Sequence, residues 1–152
     1  MGKEFTIEEI QSIPMGDEVI GGSAAVWLHA VDKGKEVDFD TTESDIDVYT
    51  NDQRKLSEME VEMNGRKIEY VNMNYLGRKF EPVEIKNVYV PSVERLLRIY
   101  KGTIQDFEED KGLYEKDYFE TKKRAMQAKI KLLHSMVDDN KENVRPGRTL
   151  RF

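Results

Sequence analysis

The chain has 152 residues and a net charge of −6, a size suited to one domain, and its acidity argues against a surface that binds nucleic acid all over. Hydrophobic residues make up 38% and charged residues 36%, so the core is expected to be thin. There is no cysteine, which excludes disulfides and thiolate metal sites. No run reaches membrane-spanning length and MGKEFTIEEI is unlike a signal peptide, so a cytoplasmic protein with no membrane partner is expected.

The first element predicted is a short helix over 5–13, with Thr6 as N-cap and Ile7, Ile10 and Ile13 at helical spacing, stopped by Pro14 and Gly16. Val19 and Ile20 then form an apolar strand that runs into Gly21-Gly22-Ser23. Glycines let a backbone approach a ligand closely. Ser23 is a good N-cap for the helix expected over 24–31, and a helix N-terminus is an anion site. His29 lies on that helix and is read as a structural residue.

A polar connection over 32–44 leads to S-D-I-D-V-Y-T, a β-type run. Alternation puts Asp45 and Asp47 on one face and sends Ile46 and Val48 into the core. Two carboxylates side by side repel unless a cation sits between them. Mg²⁺ is the hard, oxygen-seeking ion that such a pair usually holds, often together with substrate phosphates.

A helical turn is expected near 51–57, followed by EMEVEM-NG-RKIEYVNM, a hairpin with an Asn64-Gly65 turn. A two-residue turn pairs Met63 with Arg66, Val61 with Ile68 and Met59 with Tyr70 on an apolar face. Glu60, Glu62, Lys67 and Glu69 occupy the charged face. One more strand is expected between 78 and 90, carrying Val83, Ile85, Val88 and Val90. Ser92 caps a helix with Val93, Leu96, Leu97, Tyr100 and Ile104 on its buried stripe. A charged linker over 106–115 precedes a last helix over about 116–137. The expected division is one domain over 1–138 and a loose polar tail over 139–152, available to a partner protein.

A glycine turn opening a helix, followed by D-x-D on the next strand, resembles the nucleotidyltransferase superfamily related to DNA polymerase β. Within it, the long connection from the turn to the carboxylates is similar to the branch of small antibiotic-modifying and abortive-infection-type enzymes. The resemblance rests on Gly21, Gly22, Ser23, Asp45 and Asp47. It extends to the Ser92-Glu94-Leu96-Leu97 helix with Lys101 behind it, and to Lys116-Asp117 opening the last helix. It implies an α+β fold, a mixed sheet with helices packed on one face and two C-terminal helices. It also implies transfer of a nucleoside monophosphate from a triphosphate such as ATP to an acceptor hydroxyl or phosphate, on a tRNA end, a protein or a small molecule.

By that resemblance, Asp45 and Asp47 hold Mg²⁺ or Mn²⁺, Glu69 is the third acidic residue, and Gly21, Gly22 and Ser23 grip phosphates. Lys101 reaches the nucleotide phosphates, and Asp117 orients Lys101 or a metal-bound water. The chain departs from the family pattern in having D-F-D-T-T-E-S where many relatives have an arginine, and Glu69 where Asp is commoner. The alternative reading is therefore a degenerate nucleotide-binding or interaction module, similar to an antitoxin or inhibitor.

Overall fold

The computed structural model describes residues 4–37, 39, 45–77 and 82–143, with side chains as far as 137. The elements in order are α1 (Ile7–Gln11), β1 (Val19–Gly21), α2 (Gly22–Asp32), β2 (Ile46–Thr50), α3 (Gln53–Glu58), β3 (Glu60–Met63), β4 (Arg66–Asn72), β5 (Val83–Ile85), β6 (Val88–Val90), α4 (Val93–Glu109) and α5 (Lys116–Asn143). The six strands form one mixed sheet in the order β3-β4-β2-β1-β6-β5. Only the β2–β4 and β1–β6 pairs are parallel. The fold is the expected α+β architecture with two helices at the C-terminus.

Local chemistry accounts for most boundaries. Thr6 Oγ1 accepts from the Glu9 amide at 3.0 Å, and Ser92 Oγ accepts from the Arg95 amide at 3.1 Å, so both helices start at side-chain caps. The first helix is shorter than expected and ends at Gln11. Asn64 and Gly65 take φ of 53° and 82°, the left-handed pair of a tight hairpin turn, and fix Val61 against Ile68 and Met63 against Arg66. The strand expected between 78 and 90 is instead a hairpin of β5 and β6, turned at Lys86 and Asn87 with φ of 52° and 68°. Residues 78–81 of that prediction lie outside the described residues. The linker expected over 106–115 is partly helical, because α4 continues to Glu109 and a short 3₁₀ turn covers Lys111–Leu113. The last helix continues to Asn143, so the expected tail begins inside it, and 144–152 lie outside the described residues.

The core gathers on the apolar side of the strands. Ile20, Ile46, Val48 and Ile68 are almost wholly buried in one cluster with Ile10, Ala24, Ala25 and Leu28. Val90, Leu96, Leu133 and Met136 belong to the same cluster, which ties α4 and α5 to the sheet and α2. Arg66 is the one cation on this apolar side of the hairpin, and α1 satisfies it. Its Nε donates to Glu9 Oε2 at 3.0 Å and its Nη2 to Glu9 Oε1 at 3.2 Å, while the guanidinium lies over the Phe5 ring. A bidentate pair of this kind compensates a buried charge that would otherwise be prohibitive. His29 is buried and bonded to the Pro91 carbonyl at 2.7 Å, the structural role expected for it.

Candidate active site

β2 lies between β1 and β4, and register does the assembling. Asp47 is the Cα partner of Gly21 on β1 and of Glu69 on β4. Asp45 immediately precedes β2 and shares the alternation of Asp47. Ile46, Val48 and Ile68 point into the core, so Asp45, Asp47 and Glu69 are left together on the other face. The hairpin turn alone could not achieve this. It sets β3 against β4, but the parallel pairing of β4 with β2 is what puts Glu69 beside Asp47.

β1 passes straight into α2. Gly22 takes φ of +60°, and a Cβ there would run into the Asp47 carboxylate. A Cβ on Gly21 would run into the Tyr49 ring. Only glycine lets the turn lie against the carboxylate strand at both positions. Gly21 is the N-cap and makes no side-chain cap bond, so Ser23 is the second residue of α2 and not its cap, contrary to expectation. The first amides of α2 thus lack a side-chain acceptor at the cap, which suits them to an anion.

These groups line a cleft of about 430 Å³. Gly22, Ser23, Asp45, Asp47 and Glu69 meet Tyr100 from α4 and Lys122, Met126 and Lys129 from α5. Lys129 is enclosed between two rings, its Nζ 5.3 Å from the centre of Phe39 and 5.4 Å from that of Tyr100. Burial pushes the Asp47 carboxyl up to about 6, with the charges of Glu69 and Asp45 adding to the rise and those of Lys129 and Lys122 opposing it. Burial pulls Lys129 down to about 8, helped by Lys122 and opposed by Asp47. The Tyr100 hydroxyl is raised, mainly by burial, while a hydrogen bond with Ser23 opposes that rise. Acidic and basic walls therefore face each other across a space the size of a small ligand.

Of the residues singled out in the sequence, Gly22, Ser23, Asp45, Asp47 and Glu69 come together, and Gly21 supports them from behind. Lys101 and Asp117 do not line the cleft. Both are exposed, Lys101 on α4 and Asp117 in the first turn of α5. Lys116 borders a separate cavity of about 460 Å³ at the α4–α5 elbow, which is slightly larger but contains none of the three carboxylates. Tyr100, Lys122 and Lys129 are the residues that sequence reasoning missed at this site. A signal existed, since 121–137 carries Lys122, Lys123, Arg124, Lys129 and Lys131 with no acid, in a chain that is acidic elsewhere.

Among the described residues, no three acidic or imidazole side chains already stand close enough to hold one ion. Asp45 is instead 3.7 Å from Lys67. The donor set nevertheless fits a hard divalent cation, being all oxygen, mutually repulsive at Asp47 and open to solvent at its outer members, where Glu69 is exposed and the Asp45 side chain 37% exposed. No described helix is long and apolar enough to cross a membrane. Compared with protein-family models, curated proteins and solved structures, the chain gives no match.

Proposed function

We propose that this protein is a metal-dependent nucleotidyltransferase, moving a nucleoside monophosphate from a nucleoside triphosphate to an acceptor hydroxyl or phosphate. The observation that carries the reading is the register of Asp47, which stands between Gly21 of the turn and Glu69 of the parallel strand. One residue thereby links an anion seat to an acidic cluster, and lysines close the other side.

Asp45, Asp47 and Glu69 are the residues that would hold Mg²⁺ or Mn²⁺, which would supply neutralisation of the triphosphate charge. The Gly22 and Ser23 amides take the outer phosphates, because the cap leaves them free and Gly22 has no side chain in the way. Lys122 and Lys129 face the same phosphates from α5, where their charge balances the pyrophosphate as it departs. The acceptor oxygen attacks the α-phosphorus, and the bond from that phosphorus to the β-bridging oxygen breaks. Glu69, exposed at the mouth, takes the acceptor proton. Most of the catalysis is positioning and charge neutralisation.

The test is pyrophosphate release from each NTP with Mg²⁺ and a panel of acceptors: tRNA, proteins and small hydroxyl compounds. Activity is expected to vanish in an Asp45→Asn, Asp47→Asn double variant, and undiminished turnover there would refute the assignment. The competing reading is a nucleotide-holding module without turnover. It is favoured by the fact that no three described carboxylates yet stand at coordinating distance. A nucleotide-dependent rise in Tm with no pyrophosphate from any acceptor would establish it.

A further inference from the structure

The charged face of the β3–β4 hairpin holds one cation, and its position bears on the proposed metal site. Lys67 Nζ is 2.9 Å from Glu60 Oε2 and 3.7 Å from Asp45 Oδ2. The geometry follows from register. Ile46 pairs with Ile68, so in parallel pairing the preceding residues, Asp45 and Lys67, are neighbours on the opposite face. On the other side of β4, Glu60 is the partner of Glu69, one alternation from Lys67. The ammonium therefore lies between a carboxylate of the cleft and a carboxylate that does not line it.

We infer that Lys67 is the resident counter-ion of the carboxylate site, standing beside Asp45 in the metal-free protein and passing wholly to Glu60 when a divalent cation binds. The inference rests on the metal-dependent reading proposed above. The distances support the direction of the exchange: the contact to Glu60 is a close ion pair, and that to Asp45 is loose. All three side chains are well exposed, at 49% for Lys67, 53% for Glu60 and 37% for Asp45, so the ammonium can move without opening the core. Exposed pairs of this kind are weak, so a cation meeting two or three carboxylates at once displaces Lys67 from Asp45 readily. Glu60 thereby gains a function as the second seat of the lysine. Lys67 is a positioning residue, because it acts through Asp45.

The experiment measures Mn²⁺ affinity of the EDTA-stripped full chain by calorimetry and by electron paramagnetic resonance. Lys67→Met should tighten Mn²⁺ binding by about 2–5-fold, the range set by an exposed ion pair, and Lys67→Arg should restore the wild-type value. Glu60→Gln should weaken binding by a similar factor, since Lys67 then has only Asp45. The deciding measurement is the cycle. In the Lys67→Met background, Glu60→Gln should lose its effect, because no lysine remains to be reseated. Equal weakening by Glu60→Gln in both backgrounds would show that Glu60 acts only through its charge, and would overturn the exchange. Wild-type binding of Mn²⁺ with an unchanged affinity in Lys67→Met would overturn it while leaving the metal site in place. If neither protein binds Mn²⁺, the metal site fails and the counter-ion role with it. Thermal melts of each metal-free variant check that the fold is retained.

Discussion

Replacing Asp47 with asparagine separates the electrostatic argument from the catalytic one. Burial and the charges of Glu69 and Asp45 raise the Asp47 carboxyl from the ordinary 3.8 to about 6. At about 1.36 kcal/mol per pKa unit this corresponds to at most roughly 3 kcal/mol, and to less in practice because the side chain keeps some contact with solvent. The sign follows from linkage. The folded state binds the proton more tightly than the unfolded state, so the carboxylate opposes folding fully above about pH 6, and the opposition fades as pH falls towards 3.8. Asp47→Asn, nearly isosteric and uncharged, should therefore stabilise the metal-free protein at pH 7.5. With about 2–4 °C per kcal/mol for a domain of this size, Tm should rise by several degrees. The gain should shrink as the melts are repeated towards pH 4. Added Mn²⁺ should raise the Tm of the wild type but not of the variant. A variant less stable than the wild type at pH 7.5, with the same deficit at pH 4.5, would refute the reasoning. It would mean that Asp47 is a structural acceptor and not a site held under repulsion.

Further outcomes follow from the same geometry. Glu69→Gln should leave nucleotide binding by calorimetry nearly intact and lower turnover by ~10²–10⁴-fold, the usual worth of a general base. Lys129→Met should weaken nucleotide binding yet raise Tm at pH 7, because burial and Lys122 hold this lysine down at about 8 against an ordinary 10.5. That gain is present below about pH 8 and should disappear as pH rises towards 10.5, which pH-resolved melts would show. Lys101→Met, on the exposed side of α4, should change neither quantity. Gly22→Ala should cost more than ~1 kcal/mol in denaturant titration, since alanine strains at φ of +60°. It should also abolish the metal-dependent Tm shift, because the new methyl displaces the Asp47 carboxylate.

Much of the fold is written in short-range chemistry. Thr6 and Ser92 cap helices, Asn64-Gly65 turns a hairpin in the register expected from its alternation, and Ile46, Asp47 and Val48 alternate as a half-buried strand must. Each of these depends on residues within a few positions of one another, so a single sequence displays them. The Lys86-Asn87 turn is as local but lacks a glycine, and left-handed φ at a lysine has little signature in a sequence. Asp45, Asp47, Gly22 and Ser23 were legible as a site for the same reason, since a strand and a turn fix their directions.

What the tertiary structure decided was which local pieces meet. Glu60 and Glu69 lie on the same face of the hairpin, and nothing in the hairpin distinguishes them. The parallel pairing of β4 with β2 brings Glu69 to Asp47 and leaves Glu60 one strand further away. Lys101 and Asp117 carried the expected pattern, yet the way α4 and α5 pack on each other and on α2 turns Tyr100, Lys122 and Lys129 into the cleft instead. A lysine's charge can be read from its letter. The direction in which it points depends on the rotation of its helix against the sheet, and that is settled by how apolar residues such as Leu96, Leu133 and Met136 pack with Ile20, Ala24 and Ile46, on elements far away in sequence.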